Sequence, residues 1–377
     1  MKHATVEELG LDPDRWRGVL RLAEELTRSD VLPALTLAVV RRGKLLGPFA
    51  FGRRRLSDGS PPVAANDRFV IASLTKPVVA MAVMQLVEQG LIALNDRVHD
   101  VLPDYSDPPK RPTTIRHLLT HTSGLPDSLP TNLALRRAHA PLERFVEGAC
   151  GVSLDFPPGR GVQYQSLGYA LLGEIISRVT GTSCGKFLQK SFFEPLEMRN
   201  TSLGGFADDV GSEFPKRLAE IRVPQEMQGG DDWNWNSHYW RRLGAPWGGM
   251  ISTAEDMARF CLMMLQNGGT SNGRLLSQAS VATATGNRLV EFHDIPEADR
   301  RARPWGFGWR LNWPAHSASF GDLLSPIGYG HWGATGTLFW IDPAREAAAV
   351  LLSTQPLDRE QSPLVRLSNL IAASVTS

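Results

Sequence analysis

The sequence predicts an α+β fold in which an antiparallel sheet, formed from both chain ends and flanked by helices, carries an inserted, mainly helical region. Three observations carry this expectation. β-Favouring runs lie near both ends, in "ALTLAVVRRGKLLGPFAFG" and in "GTLFWIDP" and "AAAVLLST". Between them the hydrophobic periodicity is mainly helical. The regular alternation of strand and helix that builds a doubly wound sheet is missing, so the terminal strands are expected to meet in one sheet.

The elements follow in order. A helix is expected over 13–29, and the run 34–52 reads as two strands turning at Arg42-Gly43, a hairpin. "RFVIA" is a short extended segment, and residues 78–87 after it are apolar almost all round, which marks a buried central helix over 74–90. Helical patterns recur at 114–120, 167–180, 185–194 and 254–267. "PDYSDPPKRP" and "EFHDIPEADRRARP" read as surface loops. "PWGFGWRLNW", "GTLFWIDP" and "AAAVLLST" read as strands and "PLVRLSNLIAASV" as a closing helix. The expected division is 1–72 together with 305–377 as the sheet unit and 73–304 as the helical region, with a cleft between them.

With 377 residues, 42% of them hydrophobic, the chain can bury a large core. Its net charge is +1 with both signs interspersed, which excludes an electrostatic footprint for nucleic acid or an anionic membrane surface. The charged N-terminus "MKHATVEELG" lacks the apolar core of an export signal, and no membrane-spanning run occurs, so a cytoplasmic location is the expectation. Cys150, Cys184 and Cys261 are far apart and odd in number, which suits reduced thiols. His117 and His121 have the spacing of a zinc pair on one helix face, but the "LLT" between them lacks the glutamate of a zincin. No metal and no cofactor is expected.

Two Ser-x-x-Lys pairs occur, Ser73 with Lys76 and Ser183 with Lys186, and Ser183 also sits in "GTSCG", a match to the nucleophile elbow of α/β-hydrolases. That elbow needs a strand before the serine. Here "YALLGEIISRVTG" is helical and ends in a glycine cap, so Ser183 is expected in a turn between helices. Ser73 stands at the positive end of the buried central helix, where Pro77 is tolerated only within the first turn. Spacing of three places Lys76 on the same helix face. Burial and the helix dipole both disfavour the ammonium, so Lys76 is suited to accept the serine proton. The plain alternative is a serine cap with a lysine reaching solvent.

Five blocks, "RFVIASLTKPVVAMAVMQLVEQGLIALNDRV", "TTIRHLLTHTSGL", "FPPGRGVQYQSLGYALLGEIISRVTG", "GAPWGGMISTAEDMARF" and "GHWGATGTLFWIDP", resemble in the same order the serine β-lactamase-like proteins. These comprise class C β-lactamases, D-alanyl-D-alanine carboxypeptidases and family VIII carboxylesterases. The resemblance implies Ser73 as acylated nucleophile, Lys76 as its basic partner and Tyr164 as the tyrosine that relays a proton. It implies the backbone N–H groups of Ser73 and Ala334 as the oxyanion donors, and Ser166, His331, Trp332 and Gly333 as substrate contacts. Two positions depart from the family pattern. Ser166 replaces an asparagine, and His331-Trp332-Gly333 replaces Lys-Thr-Gly or His-Thr-Gly, putting an indole where a small hydroxyl helps hold a substrate carboxylate. That pattern is similar to the family VIII esterases.

The expected function is therefore hydrolysis of small neutral esters through an acyl-enzyme. The competing readings are a β-lactamase or D-Ala-D-Ala peptidase, an acyltransferase of the same fold, an inert binding protein, and an α/β-hydrolase using Ser183. Trp233, Trp235, Trp240 and Trp247 are candidates for an apolar pocket wall.

Overall fold

Arg42 and Gly43 both take positive φ, 49° and 77°, the pair of left-handed residues a two-residue hairpin requires. They join strands Ala34–Arg41 and Lys44–Gly52. The computed structural model describes residues 1–205, 217–312, 320–356 and 363–376. Within it a seven-stranded sheet runs in the order Lys2–His3, Lys44–Gly52, Ala34–Arg41, Ala347–Ser353, Thr337–Asp342, Tyr329–Gly333, Arg310–Leu311. All its strands come from the two chain ends. The sheet is antiparallel except at one edge, where Lys2 pairs with Lys44 in parallel.

Alternation along the strands serves two helical layers. Leu35, Leu37, Val39, Ala349, Leu351 and Trp340 share one core cluster with Trp16 and Leu22 of helix Pro13–Arg28 and Leu367 and Ile371 of helix Pro363–Ser374. Ala38, Val40, Val350, Leu352, Phe339 and Ile341 face the other way, against Met257, Phe260, Cys261 and Met264 of helix Ala254–Leu265. That second cluster continues into the helical region through Val78–Met84 and Tyr169, so one core joins the sheet to the central helix Thr75–Glu88. Among the described residues no helix is long and apolar enough to cross a membrane.

Two expectations need correction, and one strand went unread. Of the run 304–313, only Arg310–Leu311 joins the sheet, and Trp313 lies outside the described residues. The preceding loop instead lies on the central helix: Gly308 has φ 77°, its N–H donates to the Leu119 carbonyl, and a Cβ there would fall 2.4 Å from that of Ala80. The strand Tyr329–Gly333, unread as a separate element, supplies the remaining ladder. The charged stretch 291–304 is not all loop, because Glu297–Ala302 forms a helix with acidic residues in its first turn and arginines in its last, matching the helix dipole.

Candidate active site

The strand Phe69–Val70 delivers the chain to a tight turn, Ala72–Leu74, that opens directly into helix Thr75–Glu88. Ala72 is left-handed there, φ 47°, a conformation that costs a non-glycine residue about 1 kcal/mol. Thr75 holds it, with Oγ1 donating to the Ala72 carbonyl at 2.7 Å and accepting the Met250 N–H at 3.2 Å. Ser73 is left half-buried at the start of a helix whose next residues are buried.

Lys76 is fully buried. Its Nζ lies 3.0 Å from Ser73 Oγ and donates to the Trp247 carbonyl at 2.8 Å. Burial pulls Lys76 down to about 7, with the exposed Asp127 carboxylate opposing the drop. The amine is thus about half neutral at pH 7, and among the described residues no carboxylate lies within 4.0 Å of it to hold its proton.

Tyr164 stands just before helix Leu167–Thr180, and Lys76 Nζ sits 4.8 Å from its ring centroid. Burial drives the phenol well above its ordinary value; the Ser73 hydroxyl opposes the rise as a polar neighbour and Asp127 adds to it. Among the described residues the Tyr164 hydroxyl nevertheless closes no well-formed hydrogen bond. Ser73, Lys76 and Tyr164 are therefore gathered in one place, with the phenol neutral and its O–H free to donate.

The other side of the Ser73 turn comes from the far end of the chain. Gly333 ends strand Tyr329–Gly333 against the Ser73 turn: a Cβ there would meet Ile71 O at 2.4 Å and Thr337 Oγ1 at 2.2 Å. Thr335 Oγ1 donates to Val70 O at 2.7 Å and Thr337 Oγ1 to Ile71 O at 2.9 Å, both buried. These two threonines, missed in the sequence, pin the turn bearing Ala334 to the segment bearing Ser73. Their signal was their i, i+2 spacing directly after Gly333.

His331 is buried, and its Nδ1 pairs with the Trp332 carbonyl at 2.8 Å. A carbonyl only accepts, so Nδ1 carries the proton and Nε2 presents a lone pair. Burial, with Lys76 close by, pulls the imidazole down to about 3. Trp332 is partly buried and stacks over Tyr164, centroids 5.9 Å apart and planes at 23°. Trp305 stacks on the same ring at 5.8 Å. Ser166 is half-buried; its N–H donates to the Asp127 carbonyl at 3.1 Å.

The tryptophan cluster needs correction. Trp233 and Trp240 are buried around the Arg136 guanidinium, 5.5 and 4.4 Å from its carbon. Trp235 packs against the main core, and only Trp247 reaches the site, through its carbonyl. The aromatic wall is built by Trp305 and Trp332 instead. Ser183 lies exposed, away from this cluster: its Oγ accepts the Lys186 N–H as the cap of helix Cys184–Leu188, and Gly181, φ 67°, ends the preceding helix. His117 caps its own helix through Nδ1, whereas His121 follows the end of that helix with φ 60°. The two imidazoles do not share a helix face.

Residues 19–371 match the family model described as Beta-lactamase. The chain belongs to the beta-lactamase family. A Salmonella agona (strain SL483) protein of this kind, provisionally named a D-alanyl-D-alanine carboxypeptidase, is 28% identical over 377 residues, covering 91% of this chain and 84% of its own. A penicillin-binding protein homolog from Caulobacter crescentus superposes with a TM-score of 0.78 at 23% identity, covering 97% of this chain and 99% of that one. A family VIII carboxylesterase gives 0.77 at 20% identity with the same coverages. At these identities the two structures share the fold. The beta-lactamase family member described here is a serine hydrolase of that family.

Proposed function

We propose that the protein is a carboxylesterase that cleaves small neutral esters through an acyl-enzyme on Ser73. The observation that carries this reading is Trp332 stacked on Tyr164, an apolar surface where relatives place a small hydroxyl for a substrate carboxylate. His331 supports it, because an imidazole held down to about 3 is neutral at working pH and gives an anionic substrate no positive charge.

In this mechanism neutral Lys76 takes the Ser73 proton as Oγ attacks the ester carbonyl. The Ser73 and Ala334 N–H groups receive the oxyanion, each donor being worth about 3 kcal/mol. Collapse breaks the bond to the alcohol oxygen, which takes the Tyr164 proton, and Lys76 returns its proton to the phenol. Water then attacks the acyl-enzyme along the same path, and Ser73 leaves with its proton restored.

A second reading, a D-Ala-D-Ala peptidase or β-lactamase, is favoured by Arg310, whose guanidinium acts on both Tyr164 and His331 from the adjoining strand. The test compares hydrolysis of a short-chain p-nitrophenyl ester and of a chromogenic cephalosporin by wild type, Ser73→Ala and Ser183→Ala. Ester turnover lost only in Ser73→Ala, with weak cephalosporin cleavage, is expected. Faster cephalosporin cleavage moves the reading to β-lactamase, and ester product formed with an added alcohol moves it to acyltransferase. A wild type inert to both substrates leaves a binding protein of this fold. The cytoplasmic setting is part of the same proposal; three buried, unpaired cysteines support it, and cell fractionation tests it.

A further inference from the structure

His121 is fully buried beside the candidate site and belongs to none of the roles above. Its backbone carbonyl accepts the Gln163 N–H at 2.9 Å, and its side-chain Nδ1 accepts the Gln165 N–H at 3.2 Å. These N–H groups belong to the two residues that flank Tyr164 in the chain. A backbone N–H only donates, so Nδ1 holds the lone pair and the ring proton sits on Nε2. The ring also packs on the phenol, centroids 4.8 Å apart, and meets Trp305 edge-on at 4.3 Å. Its φ of 60° is left-handed, uncommon for a non-glycine residue but one that histidine takes more readily than most. That backbone turn is what lets one residue present both its carbonyl and its ring to the same short segment.

We infer that His121 is a positioning residue that fixes Tyr164 over Lys76 and Ser73 by accepting the N–H groups on either side of it. The inference rests on the proposed relay role of Tyr164. A protonated imidazole would present an N–H to the Gln165 N–H and lose the contact. The groups facing the ring, Lys76, His331 and Arg310, all disfavour that proton, as burial does. The clamp therefore persists across the working pH range.

Three substitutions separate the acceptor from the backbone. Asparagine tolerates positive φ and places an oxygen near the position of Nδ1; glycine tolerates positive φ and offers no acceptor; glutamine offers its polar atoms near Nε2 instead. His121→Gly and His121→Gln are expected to lower kcat for the p-nitrophenyl ester about 100-fold, with KM changed less than about threefold, as a misplaced relay group does. His121→Asn should recover most of that loss. Added to Tyr164→Phe, His121→Gly should cost nothing further, because its effect passes through the phenol.

Circular dichroism and Tm identify any variant that has lost the fold. If His121→Gly fails in that way, the comparison of His121→Asn with His121→Gln carries the test. Equal activity of asparagine and glycine or glutamine variants overturns the proposal, as does an undiminished effect in the Tyr164→Phe background. An inactive Tyr164→Phe beside a fully active His121→Gly overturns the positioning role alone. A fully active Tyr164→Phe overturns the relay, and the positioning role with it.

Discussion

Lys76 shows how a single side chain costs the fold what it supplies to the site. In the unfolded chain it stays charged up to about pH 10.4. In the folded chain burial brings it down to about 7, so between these values the unfolded state binds the extra proton. Its burial therefore destabilises the protein at pH 7, and the penalty fades as pH rises towards the unfolded value. Lys76→Met should raise stability at pH 7 by about 3 kcal/mol, measured by urea unfolding, with the gain shrinking by pH 10. The same variant should lose ester turnover. In wild type, turnover should rise with pH and reach half its plateau near 7, as the amine loses its proton.

The meeting of Ser73 and Lys76 was legible from their spacing at a helix start, and that of Tyr164 with them only from the family resemblance. His121 was not. Its spacing from His117 drew only a zinc reading, which the missing glutamate set aside, and its contacts depend on a left-handed backbone that sequence spacing does not encode. The tryptophan wall was misplaced for a similar reason, since composition counts aromatics but not what they stack on.

At the scale of elements, the decisive contact is a strand end against a turn. Gly333 leaves room for the Ile71 carbonyl, and Thr335 and Thr337 lock the approach. Gly333→Ala should push the strand off the Ser73 turn, lowering kcat at least about 100-fold. A fall in Tm of several degrees should accompany it, and an unchanged kcat would sink this account of the oxyanion side. The hairpin 34–52 was readable because Arg42-Gly43 fixes both turn and register. Helices Asn132–Arg137 and Gln278–Thr285 were not read; the second is built mostly of small and β-branched residues, which show no apolar stripe.

Across the whole molecule, the ends are tied together by Arg41. Its guanidinium is buried and donates to the carbonyls of Leu9, Gly10, Arg345 and Thr376, so that strand, N-terminal segment and C-terminal segment share one cation. Arg41→Met should cost about 3 kcal/mol by leaving those carbonyls without a donor. Urea unfolding would measure this, and ester kcat of the folded fraction should stay unchanged because Arg41 pairs with Ala347 at one end of the strands, whereas Gly333 and Thr337 lie at the other. The meeting of both ends in one sheet was legible from where the β-favouring runs fall. The covering of one face by helix Ala254–Leu265 was not, because an amphipathic pattern does not say which surface it seeks.

The same sheet orders events during synthesis. Ser73 and Lys76 leave the ribosome early, but the turn that brings the Ala334 N–H to them is made long afterwards, and strand Ala34–Arg41 waits for Ala347–Ser353 as its neighbour. On the mechanism proposed above, a nascent chain thus carries Ser73 and its own N–H without the Ala334 N–H, and becomes reactive only once the far strands have been translated and have docked.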